Sequence, residues 1–219
     1  MSRKKKFKRV LLCALLISLP LLSMNNVKNS DIQPINDNNV EMCYNINDTD
    51  TSFVIDSIGV NNWIYIQKDS IKNELIDEVE KYIFKKAPKT NENIPSSIVE
   101  HGLIHDIDIM FMVAQTQIET SFGTLGAGRE SSRRSLFGVA IKRYSNYEVA
   151  INDYCNMLKT KYLTRGRNEY NLLKKYTTTR GARYAENPNY EYDLRKAYNM
   201  VNKSTKIKEL QTKYNELDV

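Results

Sequence analysis

Histidine, cysteine, proline and glycine are all scarce in this chain of 219 residues, at two, three, five and eight copies. So few Gly and Pro exclude collagen-like and linker-like sequence, and three Cys are too few for a disulfide scaffold. His101 and His105 are spaced to share one helix face, but Gly102 lies between them and no third ligand is near. A surface or capping role is expected for the pair, and neither a metal nor a cofactor is expected anywhere. Two-residue apolar alternation, hairpin dipeptides such as Asn-Gly, and internal repeats are missing as well, which argues against a β architecture.

What is present is ordinary globular composition, 41% hydrophobic and 26% charged, with room for one domain and a tail. The net charge of +6 does not describe a nucleic-acid binder. Residues 1–23 hold six of the 32 basic residues and no acid, so the remainder carries 26 of each sign. Nucleic acid is therefore not expected as a partner.

Those six cations precede Val10–Leu22, an apolar run interrupted by Cys13, Ser18 and Pro20. A basic flank before ~13 apolar residues has the form of a secretory signal, or of a membrane anchor shorter than the usual span of about 20. No small-x-small cleavage site is clear around Leu22–Met24, and Cys13 does not follow a small residue as a lipid-attachment site would. The alternative, a buried N-terminal helix, suits six cations poorly. Export is the expectation, to the envelope or medium or tethered to the cytoplasmic membrane. In an oxidising compartment Cys43 and Cys155 could pair.

Residues 24–68 read as a polar linker or arm, Asn- and Asp-rich to 52, with a short strand or packing arm over 53–66. Residues 69–219 read as one mostly helical domain. Asp69 or Ser70 would cap a helix carrying Ile71, Leu75, Ile76, Val79, Ile83 and Phe84 up to Pro88. Ser97 with Glu100 suggests a capping box opening a short helix ended by Gly102. Asp106 or Asp108 would start, and Gly123 stop, a helix apolar on nearly all sides, the mark of a central core helix. A loose turn with Gly123, Gly126 and Gly128 leads to Ser135–Gly138, and Ser145 with Glu148 suggests a second capping box. Further helical patterns cover roughly 168–177, 189–202 and 204–217, with Asn187 and Pro188 marking a start.

Glu119 is the anomaly, an ionisable carboxyl in the last turn of the most apolar helix. Burial and the negative end of the helix dipole both disfavour its charge, raising its pKa toward what a general acid needs near neutrality. Met112, Gln115 and Thr116 share its face, which predicts an amide, a hydroxyl and a carboxyl at the lip of a cleft. The competing reading is an exposed helix end, or a pair with Arg129, Arg133 or Arg134. Glu130, among three arginines, reads as a solvated or paired charge.

These residues carry a resemblance. Ala114-Gln-Thr-Gln-Ile-Glu119-Thr-Ser-Phe-Gly123 resembles the Ala-Gln-x-x-x-Glu-Ser-x-x-Gly signature of the bacterial N-acetylglucosaminidase family, found in many autolysins and flagellar peptidoglycan hydrolases. Four elements follow in family order: Ser135-Leu-Phe-Gly138, Tyr144–Tyr154, Tyr184-Ala-Glu-Asn-Pro-Asn-Tyr190, and a closing helix from Leu194. Together they span about 95–202. The resemblance implies a mainly α, lysozyme-like domain that cleaves the β-1,4 bond between N-acetylglucosamine and N-acetylmuramic acid. Glu119 matches the general acid, and Tyr184 the essential tyrosine opposite it. Gln115, Phe137 (as a cleft-floor aromatic) and Tyr190 are candidate substrate-binding residues.

One departure stands out. Only Val139–Arg143 separates Gly138 from the next element, so the family's usual β-hairpin, which supplies a second acid, is absent or very short. Glu130, Asp153 and Glu186 are the candidates to replace that acid. A single acid is workable where the sugar's own acetamido group is the nucleophile. Lytic-transglycosylase-like cleavage, and a non-catalytic wall-binding or assembly protein on the same fold, are the alternatives. Residues 24–125 carry net −9 and 126–219 net +9, and a basic half near the motifs suits an anionic polymer such as peptidoglycan.

Overall fold

The computed structural model describes residues 52–138 and 142–217, with side chains from 62 onward. The N-terminal export segment, Cys43 and most of the expected linker lie outside the described residues. Among the described residues eight α-helices follow one another: α1 Ser52–Lys86, α2 Asn93–Ile104, α3 Ile109–Thr120, α4 Gly126–Arg129, α5 Tyr147–Met157, α6 Glu169–Lys174, α7 Tyr190–Ser204 and α8 Ile207–Glu216. A π-helical turn, Leu158–Tyr162, continues α5. Among the described residues the only β pairing is an isolated bridge, Thr177 with Arg183. The domain is mainly α, as the sequence predicts.

The centre is α3. Asp108 caps it, its Oδ1 accepting from the backbone N–H of Met110 (2.8 Å) and Phe111 (3.2 Å). Nine of its twelve residues are buried. Helices α2, α7 and α8 pack against it, as a helix apolar on nearly all sides requires.

Several boundaries differ from the sequence reading. Residues 53–66 form no strand; they are the first turns of α1, and Asp69 and Ser70 are exposed mid-helix residues rather than caps. The run of Val and Ile at 54–66 suggests a strand, yet β-branching costs a helix only tenths of a kcal/mol per residue. The semi-buried positions Ile64, Gln67, Lys68 and Ile71 also continue the helical spacing upstream. Helix α2 starts four residues before the Ser97–Glu100 pair, because the Asn91 side chain accepts from Asn93 N–H (3.0 Å) and Pro95 fits the first turn. It also runs through Gly102, where a Cβ would stand 2.8 Å from Ile109. Asn146, not Ser145, caps α5, accepting from Val149 N–H at 2.8 Å.

His105 occupies the C-cap of α2 and its Nε2 meets Asn152 Oδ1 at 2.8 Å, in keeping with a capping role. Cys155 is buried against Met112, Sγ to Sδ 4.0 Å, and burial pushes its thiol up to about 12. Among the described residues no helix is long and apolar enough to cross a membrane.

Candidate active site

The way α3 ends decides what surrounds Glu119. Ser121, Phe122 and Gly123 all take positive φ, at 47°, 58° and 79°. Ser121 N–H donates to Gln117 O (3.2 Å) and Phe122 N–H to Thr116 O (3.1 Å), which satisfies the last carbonyls of the helix. Phe122 is fully buried, edge-on to Tyr82 at 6.3 Å, and that burial offsets its unfavourable backbone. The chain is thereby turned so that residues 135–138 return across the end of α3.

That strap is pinned by side-chain hydroxyls. Thr120 Oγ1 donates to Leu136 O at 2.9 Å, and the Tyr184 phenol donates to Phe137 O. Gly138 follows at φ +68°, directly against the Glu119 carboxyl. A Cβ there would lie 2.8 Å from Glu119 Cδ, so this approach needs glycine.

Glu119 is partly buried, and the Tyr190 phenol donates to its Oε1. Burial raises its pKa above the ordinary carboxyl value, while the Tyr190 bond, which favours the carboxylate, pulls the other way. Two of the three competing arginines are engaged elsewhere, Arg133 with Glu130 at 3.1 Å and Arg134 with Tyr144 O and Ser145 O (2.5 Å), and Arg129 is exposed. Of the candidate second acids, Glu130 is in that ion pair and Asp153 is held by Lys142 and Tyr144, both at 2.7 Å. Glu186 is exposed. None of the three hydrogen-bonds to Glu119.

The expected polar lip on α3 does not form. Gln115 is 0% exposed; its Oε1 accepts from the phenols of Tyr154 and Tyr176, the latter at 3.0 Å. Thr116 is buried too, its hydroxyl turned back onto Met112 O and Val113 O. Helical periodicity correctly places Gln115, Thr116 and Glu119 on one face, but says nothing of the tyrosines that cover that face. Gln115 is therefore corrected from a cleft-wall contact to a buried one. Phe137, expected on the cleft floor, is 1% exposed and lies beneath, stacked on Tyr154 at 3.5 Å and 2°.

Tyr184 and Tyr190 both reach the site. The Tyr184 ring, partly buried, stacks on Tyr176 (4.3 Å, 11°) and sits 5.5 Å from Tyr190. Burial pushes both phenols upward, so each is a neutral hydrogen-bond donor at any physiological pH. Tyr154, Tyr176 and Gly138 are the participants the sequence reading missed. Fourteen tyrosines look alike in a sequence, and a glycine's closeness to a carboxyl is a tertiary fact.

The domain is thus mainly α and lysozyme-like, with a buried central helix that ends on a desolvated carboxyl faced by an aromatic cluster. Residues 96–203 match the model of the glucosaminidase family, described as mannosyl-glycoprotein endo-beta-N-acetylglucosaminidase, a family of peptidoglycan-hydrolase type. No curated protein sequence matches the chain.

Proposed function

We propose that this domain hydrolyses the β-1,4 bond between N-acetylglucosamine and N-acetylmuramic acid in peptidoglycan, with Glu119 as general acid and Tyr184 assisting. The supporting observation is the state of Glu119: a desolvated carboxyl of raised pKa, hydrogen-bonded by Tyr190 and crowded by Gly138. Such a group keeps its proton at higher pH than a solvated glutamate and can deliver it to the leaving glycosidic oxygen.

With Glu119 the one acid in the site among the described residues, the substrate's 2-acetamido oxygen supplies the nucleophile. It attacks C1 as the C1–O bond breaks and Glu119 protonates the departing oxygen. The Glu119 carboxylate then takes a proton from the water that opens the resulting oxazoline, restoring the acid. Tyr184 already donates to Phe137 O, and its oxygen retains lone pairs for the acetamido N–H or the water. A substrate in the cell wall also suits the export expected from residues 1–23.

Digestion of purified sacculi, with mass spectrometry of the product ends, tests this. Reducing N-acetylglucosamine ends are expected, and Glu119→Gln should slow their release by about 10²–10⁴-fold. Anhydromuramic ends would instead indicate transglycosylase chemistry. Binding to sacculi without product release, by folded protein, would indicate a non-catalytic wall binder.

A further inference from the structure

Gln115 lies one helical turn before Glu119, fully buried, and at the centre of a closed set of contacts. Its Oε1 accepts from both Tyr154 and Tyr176, whose hydroxyls are themselves 3.3 Å apart. Each phenol fixes a ring that carries another group. The Tyr154 ring stacks on Phe137, and the Tyr176 ring stacks on Tyr184. The circuit closes where Tyr184 donates to Phe137 O, immediately before the glycine that abuts Glu119.

We propose that Gln115 is a positioning residue of the glycosidase site, setting Tyr184 and the Phe137–Gly138 strap against Glu119 without touching substrate; this rests on the hydrolase reading above. One detail separates positioning from plain packing. Among the described residues no group meets the buried Gln115 Nε2 in hydrogen-bonding geometry, so the amide carries a desolvation cost that an apolar side chain would not. A methionine of similar length would fill the space without that cost. What methionine lacks is the acceptor that holds two phenols at one point. Both phenols are kept neutral by burial, so the acceptor serves at every working pH.

The test uses the full chain and the sacculus assay. Gln115→Met should lower kcat by about 10–100-fold, the cost of a misplaced site, while KM changes by less than about threefold. A triple variant, Gln115→Met with Tyr154→Phe and Tyr176→Phe, leaves no orphaned polar atom, so Tm should recover while kcat stays low. If folded Gln115→Met turns over within about twofold of the parent, or if kcat and Tm return together in the triple variant, the positioning role is overturned. Should Gln115→Met alone not fold, the triple variant decides by the same criterion. Failure of the underlying reading looks different: the parent releases no saccharide, or Glu119→Gln retains the parent rate.

Discussion

At Glu119, two opposing influences set when the proton leaves. Desolvation holds it on; the hydrogen bond from Tyr190 stabilises the anion. Removing that bond with Tyr190→Phe should raise the pKa further. A general acid must be protonated to act, so activity is lost as pH rises through its pKa, and a higher pKa moves that alkaline limb upward. The pH–rate profile of sacculus digestion should therefore show the limb of Tyr190→Phe at higher pH than the parent's. Glu119 was visible in the sequence because a carboxyl in a greasy helix contradicts its surroundings. Gln115 was visible as a polar residue on the same face but was misplaced at the surface, since spacing fixes a direction and not what lies in that direction. Gly138 left no signal beyond its motif.

Among the elements, helix starts set by local chemistry were the most readable. Asp108 was one of two expected starts for α3, and it takes the role with two backbone acceptances. It has a second task that no local rule reveals, because its Oδ2 accepts from the Tyr198 phenol of α7 at 2.6 Å. Asp108→Ala should thus cost more than an ordinary cap, about 2 kcal/mol or above, seen as a lower urea midpoint. The Ser97–Glu100 and Ser145–Glu148 patterns failed for a comparable reason. Capping-box residues also occur inside helices or one residue off the true start, and the neighbours Asn91, Pro95 and Asn146 decide. The first turns of α1 were missed because their β-branched residues suit both structures, and only continuity with the helix downstream resolves them.

For the whole molecule, buried carboxyls link stability to pH. Burial raises the pKa of Glu119, Asp108 and Glu169 alike. A group with a raised folded-state pKa contributes stability that is fully present below its unfolded value and is lost as pH rises through the folded one. These three therefore favour mildly acid conditions over neutral ones. Two groups oppose them as pH falls: His101, lowered by burial, through the ordinary imidazole range, and Asp153, whose burial is outweighed by its bonds to Lys142 and Tyr144, through the ordinary carboxyl range. Thermal melts should show Tm rising as pH is lowered from 7 toward that range, then falling. Glu119→Gln should raise Tm at pH 7, by about 2–4 °C for each kcal/mol of relieved burial cost, and the gain should shrink at lower pH. At this scale the sequence was most informative: the motif order marked about 95–202, and the family model matches 96–203.

The hydroxyls of Thr120 and Tyr184 clasp two consecutive carbonyls just ahead of Gly138. Whatever chain comes after that glycine therefore hangs from a fixed hook. A long excursion or a five-residue link can depart from the same point without transmitting its length back to Glu119. That flank can be trimmed or extended as a module while the carboxyl beside the hook stays in register.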